Sequence, residues 1–86
     1  MTRPRAETRV RDARALAAAI RANVDAFYAD TIPFPTFHER AGALWSKTYG
    51  DRTSHDLVLA VLRGDETFLT DYVTNARRFA AQAGAL

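Results

Sequence analysis

The sequence predicts an all-α fold: a small single-domain bundle of about four helices, in the order long, short, short, long. Three observations predict it. Apolar residues recur at helical spacings of three and four, glycines and prolines separate these periodic segments, and no segment alternates apolar and polar residues as a strand would. The chain has 86 residues, 48% of them hydrophobic and 26% charged, which fits one helical domain over residues 1–86 with a modest core.

The first helix is predicted over about residues 5–29. Pro4 suits a first helical turn, because the N–H that proline lacks would have no partner there. The apolar residues that share one face of the helix are Val10, Ala13, Ala17, Ile20, Val24 and Phe27. The segment Ile32-Pro33-Phe34-Pro35 is expected to end the helix, since each proline favours extended geometry in the residue before it.

The second helix is predicted over about residues 37–48. Thr36 is expected to cap it, because Glu39 follows three positions later and would complete a capping box. One side of this helix carries Phe37, Ala41, Leu44, Trp45 and Thr48. Gly50 is a plausible stop for it.

The third and fourth helices are predicted over about residues 54–63 and 66–83. Thr53 is expected to cap the third helix, which should be the most buried because it is short and apolar. Gly64 ends it, and Asp65 is expected to cap the fourth helix. The apolar stripe of that last helix contains Phe68, Leu69, Tyr72, Val73, Ala76, Phe79, Ala80 and Ala83.

Positive charge is concentrated at the start of the chain. Residues 1–21 carry six arginines against two acidic residues, a net charge of +4, whereas residues 22–86 carry a net charge of −2. Such segregation indicates a surface for an anionic partner. The candidates are arginines of the N-terminal segment and of the fourth helix: Arg3, Arg5, Arg9, Arg11, Arg14, Arg21, Arg77 and Arg78. The alternative is a solvated face that Glu7, Asp12 and acidic residues of neighbouring helices neutralise.

A helix-turn-helix over residues 56–75 is the most specific nucleic-acid hypothesis. Ala60 and Gly64 have the spacing that the tight turn of this motif prefers, and an apolar Val73 follows nine positions later. Against it, the second helix of the motif begins with Asp65 and Glu66, whose charges would repel phosphates. The candidates for DNA contact in this segment and after it are Thr67, Thr70, Asn75, Arg77 and Arg78.

Four aromatic residues lie near the two prolines: Tyr28, Phe34, Phe37 and Trp45. In one interpretation Phe34 and Phe37 fold over the turn and Trp45 fills the core, as aromatic residues commonly do in small domains. Alternatively, the segment from Ile32 to Phe37 stays exposed as a docking ridge, because a loop stiffened by prolines loses little entropy on binding. The candidate protein-docking residues are Phe34, Phe37 and Trp45.

The sequence gives no sign of catalytic chemistry, so we expect a protein that is not an enzyme. It has no cysteine, and His38 and His55 match no zinc motif, so neither a metal nor a cofactor is expected. Ser46 and Ser54 lie in no nucleophile elbow. The four glycines are scattered and form no phosphate-binding loop.

We therefore expect a non-enzymatic binding or regulatory module that acts through protein–protein contact. The alternative is a small DNA-binding regulator that uses the arginine-rich first helix and the helix-turn-helix-like segment. Formation of a homodimer is a further option, because a small core gains from added burial. The longest strongly apolar run, Leu57–Leu62, is far shorter than the roughly 18 residues of a membrane span, so we expect a cytoplasmic protein without membrane contact.

Overall fold

The all-α class is confirmed by the computed structural model, which describes residues 5–84. Over that range the chain forms four α-helices and no strand. The helices are α1 (Ala6–Tyr28), α2 (Phe34–Trp45), α3 (Arg52–Leu62) and α4 (Glu66–Gly84), and a 3₁₀ turn (Ser46–Thr48) follows α2.

The longest helix, α1, is the centre of the bundle and contacts the other three. Its partner α3 runs parallel to it, because Arg9 near the start of α1 reaches Asp51 before α3, and Arg21 reaches the carbonyl of Leu62 at the end of α3. Helix α4 runs antiparallel to α1, because its first residue pairs with Arg14 and its Arg77 pairs with Glu7. Helix α2 folds back along the second half of α1, as expected for a short connection.

The core lies where α1, α3 and α4 meet. The apolar face of α1 is buried as the spacing predicts, and so is the middle of α3, where Leu57 and Val58 are each only 1% exposed. The complete set of buried apolar residues is Val10, Ala13, Ala17, Ile20, Leu57, Val58, Ala60 and Leu69. Helix α2 contributes only the half-buried Leu44 and Trp45. Three of these eight core residues are alanines (Ala13, Ala17 and Ala60), so the core contains few large side chains.

Two predicted caps are wrong. Helix α2 begins at Phe34, so Thr36 lies inside its first turn, and no side-chain cap is formed. The prolines start this helix because Pro33 has the extended geometry of an N-cap residue, and Pro35 needs no N–H in a first turn. The second wrong cap is Thr53, because the residue that caps α3 is Asp51. The Asp51 carboxylate accepts a hydrogen bond from the Ser54 N–H at 3.2 Å.

Helices α1 and α3 end in the same way. After α1, Asp30 has a φ of 58° and the Thr31 N–H donates to the Ala26 carbonyl at 3.0 Å. After α3, Gly64 has a φ of 73° and the Asp65 N–H donates to the Ala60 carbonyl at 2.9 Å. Both are Schellman motifs, which require a left-handed residue, and only the second uses the glycine that suits that position. The predicted cap at Asp65 is confirmed, since its carboxylate accepts from the Phe68 N–H.

The molecule is long and flat, with principal extents of 56 × 27 × 15 Å. Its radius of gyration is 15.8 Å, against about 12 Å for a compact chain of this length. The last seven residues of α4 cause part of this elongation, because they continue roughly 10 Å past the level at which Arg77 meets the start of α1. None of the helices between residues 5 and 84 has the length and hydrophobicity needed to cross a bilayer.

Candidate protein-docking surface

Aromatic side chains from the end of α1 and the start of α2 form one cluster, which we call the aromatic end (Phe27, Tyr28, Phe34 and Phe37). The rings of Phe27 and Phe37 stack with centroids 4.8 Å apart and an interplanar angle of 22°. Phe34 meets the edge of this pair, 6.0 Å from Phe27. Its other face lies against the imidazole of His38 at 5.7 Å. Stacked and edge-on pairs of this kind stabilise one another beyond their buried area.

The aromatic end has a covered base and an exposed top. Phe27 and Phe37 are half-buried and join the two helices. Phe34 remains 57% exposed and Tyr28 80% exposed. Phe34 and Tyr28 are therefore exposed to solvent while they pack against the half-buried Phe27 and Phe37. Exposed aromatic residues with such support are typical of protein interfaces.

The backbone beneath the aromatic end is fixed by several contacts. The Schellman motif at Asp30 closes α1, and the two prolines restrict the first turn of α2. Asn23 is 6% exposed, and its Nδ2 donates to the Phe37 carbonyl at 3.1 Å. Its Oδ1 is buried without a hydrogen-bond partner in the described part of the chain. Such a surface loses little conformational entropy when a partner binds it.

The structure separates Trp45 from the other two predicted docking residues. Trp45 is half-buried against the core, and its ring lies 5.6 Å from that of His55. It stands at the opposite end of α2 from Phe34, eleven residues or roughly 16 Å along the helix. Phe34 and Phe37 therefore belong to one surface, whereas Trp45 packs between α2 and α3.

Most of the predicted anionic-partner arginines are engaged inside the molecule. Arg9 donates to Asp51 at 2.6 Å, and Arg14 makes a bidentate pair with Glu66 at 2.8 and 3.1 Å. Arg77 donates to Glu7 at 2.7 Å. Arg21 donates to the carbonyl of Leu62 at 3.2 Å, and Arg11 lies 3.6 Å from Asp12. The sequence names Glu7 and Asp12 as neutralising residues, but spacing alone does not identify Asp51 and Glu66 as the partners from neighbouring elements.

These ion pairs shift the titration of their members. The bond from Arg14 holds the pKa of Glu66 below its ordinary value and raises the pKa of Arg14 itself. The pKa of Asp51 is lowered first by the Ser54 hydroxyl and N–H, and then by Arg9. The pKa of Glu7 is lowered by its own backbone N–H and by Arg77. The carboxylates of these pairs are exposed to solvent, so each pair contributes only modestly to the stability of the fold.

Two of the predicted arginines have no such role within residues 5–84. Arg5 and Arg78 are exposed, and neither pairs with a carboxylate within residues 5–84. Arg3 lies outside the described residues. Because Arg77 pairs with Glu7, Arg5 and Arg78 both lie at the end of the molecule where α1 begins.

The helix-turn-helix-like segment is built from α3, a three-residue connection and α4. Thr67 and Thr70 are exposed, as a recognition helix would require. However, Glu66 at the start of α4 is held against Arg14 of α1, and Asp71 is exposed on the same helix. Two carboxylates therefore lie where a recognition helix approaches phosphates.

A groove that the sequence analysis missed opens on the side of α1 between α2 and α3. We call it the alanine groove; its volume is about 630 Å³. Its apolar floor consists of Ala13, Ala15, Leu16, Ala19, Leu44 and Val58. Its rim consists of Arg9, Asp12, Lys47, Asp51 and Ser54. The signal for it was the exposed alanines at helical spacing on α1, which leave room beside the helix because they have no larger side chain.

The two histidines stand apart, His38 beside Phe34 and His55 beside Trp45. No group of three or more metal-ligating side chains occurs between residues 5 and 84. The Ser54 hydroxyl donates a hydrogen bond to the Asp51 carboxylate, and the Arg9 guanidinium donates to the Ser54 hydroxyl at 3.2 Å. The Ser54 hydroxyl is therefore part of the hydrogen bonding around the N-cap of α3.

Comparison with known proteins gives no match for this chain: not a family model, not a curated protein and not a solved structure.

Proposed function

We propose that this protein is a non-enzymatic binding module that acts through contact with another protein, and that the aromatic end is its contact surface. The single observation that carries the proposal is the position of Phe34, which is 57% exposed and packs edge-on against the stacked pair of Phe27 and Phe37. A buried aromatic residue would stabilise the core and would not be available to a partner. A mobile aromatic residue would lose conformational entropy when a partner binds it. Phe34 is neither, because a partner can cover it without rearranging the helices beneath it.

DNA binding is the alternative, and the arrangement of charge disfavours it. To reach phosphates, Arg9, Arg14 and Arg77 would have to leave carboxylate partners that lie within 2.6 to 2.8 Å. The start of α4 would also bring Glu66 and Asp71 towards the duplex. A protein that relies on phosphate contacts should bind duplex tightly at low salt and lose affinity steeply as salt rises, so a fluorescence titration with random duplex separates the two functions.

Site-specific photo-crosslinking tests the proposed function. A photoreactive phenylalanine analogue replaces Phe34 in one version of the protein and exposed Arg52 at the start of α3 in a matched control. In native cells we expect one discrete crosslinked protein with the analogue at position 34 and none at position 52. Crosslinks of equal intensity at both positions, or none at position 34, would contradict the proposal.

A further inference from the structure

The apolar stripe of α4 continues beyond the part of the bundle that covers it. Leu69, near the start of α4, is 2% exposed, and Tyr72 and Val73 pack against the core. Further along the same stripe Phe79 is 74% exposed, and Ala80 and Ala83 are exposed as well. We call residues 79–84 the α4 tip. It is a helical segment whose apolar side has the pattern of a buried face and no covering helix within the described chain.

The α4 tip cannot reach the alanine groove of its own chain. Helix α4 lies on the side of α1 that carries Glu7 and Arg14, which are two helical turns apart. The alanine groove opens on the other side, at Asp12, Leu16 and Ala19. The tip also points away from the groove, because α4 is antiparallel to α1 and continues past its start. An unpartnered helix and an unpartnered groove therefore exist in one chain without being able to meet within it.

The chain exposes more surface than a compact monomer of its mass, in keeping with its elongated shape. Its accessible surface is 6442 Å². A compact monomer of 9.6 kDa exposes about 5,100 Å². The difference, about 1,300 Å², exceeds the approximately 800 Å² that each partner buries in a stable interface. A second copy would supply the missing burial at both features at once.

We propose that two copies of this chain associate, and that the α4 tip of each lies in the alanine groove of the other. The groove, at about 630 Å³, accommodates the Phe79 ring between Leu16 and Leu44. The small residues Ala80 and Ala83 then face Ala15 and Ala19, which allows the two helix backbones to approach closely. When both tip–groove contacts form between the same two copies, a two-fold axis relates the copies and the assembly closes as a dimer.

The test is the mass of the protein in solution, measured by sedimentation equilibrium from about 1 µM to 1 mM, the range in which weak dimers form. We expect the natural chain to reach twice its monomer mass. Phe79→Ser removes the tip side chain, and Ala19→Trp fills the groove; each should return the mass to that of a monomer, an approximately twofold fall. Ala18→Trp is the matched control, because Ala18 is equally exposed on α1 but does not line the groove.

Mixing the two variants makes the test specific for this arrangement. The tip of Ala19→Trp is intact and so is the groove of Phe79→Ser, so the mixture should form a heterodimer through one tip and one groove although each variant alone is monomeric. Unchanged helical circular dichroism shows that both variants are folded. The proposal is overturned if the natural chain stays monomeric at about 1 mM, the highest concentration of the measured range. It is also overturned by a dimer that Phe79→Ser disrupts and Ala19→Trp leaves intact, since the tips would then pair with each other.

Self-association and the proposed function fail independently. Phe34→Ala should leave the dimer mass unchanged, because the aromatic end lies at the far end of α1 from the α4 tip. Loss of the dimer in Phe34→Ala would overturn the assignment of the interface to the tip and groove.

Discussion

The ring of Phe37 stacks on the ring of Phe27 at 4.8 Å and joins the end of α1 to the start of α2. The same Phe37 accepts a hydrogen bond at its carbonyl from the buried Asn23 one turn earlier on α1. One residue is thus held at its side chain and at its backbone by the same helix. This double attachment keeps the neighbouring Phe34 in a fixed, exposed position.

Truncation of the two phenylalanines should therefore have different effects. Phe37→Ala removes a half-buried stacked ring and should lower the free energy of unfolding by about 2 kcal/mol. Phe34→Ala removes an exposed ring and should lower it by less than about 0.5 kcal/mol. Urea denaturation followed by circular dichroism measures both. Equal losses would show that Phe34 serves the fold rather than a partner.

The two Schellman motifs offer a matched pair of substitutions. Asp30→Gly relieves a left-handed aspartate and removes a negative charge from the C-terminal end of α1, so it should raise the free energy of unfolding by about 0.5 kcal/mol. Gly64→Ala places a Cβ in the left-handed conformation and should lower it by about 1 kcal/mol. The open space around Gly64 makes the cost conformational rather than steric. A stabilised Gly64→Ala variant would be incompatible with the observed turn.

The start of α3 is a direct test of which residue caps it. Asp51→Ala should lower the free energy of unfolding by about 1 kcal/mol, because the Ser54 N–H loses its acceptor. Thr53→Ala should change it by less than about 0.3 kcal/mol, since its side chain does not cap the helix. Thermal unfolding of both variants at neutral pH decides between them. A larger loss in Thr53→Ala would restore the cap that the sequence predicts.

Stability should fall as the solution becomes acidic. The folded-state pKa values of Glu7, Asp51 and Glu66 lie below those of the unfolded chain, so folding favours the ionised forms. The stabilisation is complete above the unfolded pKa values, near 4, and is lost as the pH falls through the folded ones. The melting temperature should accordingly be lower at pH 2.5 than at pH 7, and Glu66→Gln should show a smaller decrease. A melting temperature that rises on acidification would show that these pairs do not stabilise the fold.

Helix number, order and the buried face of α1 follow from the sequence because they depend on residues a few positions apart. The spacing of Val10, Ala17 and Ile20 places them on one face whatever lies opposite. The start of α2 did not follow, because local rules favoured a Thr36 cap although Pro33 and Pro35 also satisfy a first turn. Local rules allow both a helix capped by Thr36 and a helix that begins at Phe34. Packing of Phe34 on Phe27 favours the second start, which the structure has.

The candidate site depended on contacts that sequence spacing does not carry. Phe34 and Phe37 stay candidates for a docking surface, whereas Trp45 lies against His55 at the other end of α2. The pairing of Arg14 with Glu66 spans 52 positions, so local spacing does not identify which acidic residue of a neighbouring helix meets Arg14. The alanine groove arises between three helices, and its lining becomes visible only once α2 and α3 are placed on α1.

The most direct test of the central claim compares Phe34→Ala with Arg14→Gln in binding to the protein that crosslinking at position 34 identifies. Both side chains are exposed, yet only Phe34 belongs to the aromatic end, whereas Arg14 is bound to Glu66. Isothermal titration calorimetry should show a Kd at least about tenfold weaker for Phe34→Ala, as for an interface anchor, and a Kd changed less than about twofold for Arg14→Gln. The reverse order would mean that the charged face of α1, and not the aromatic end, is the surface on which this protein works.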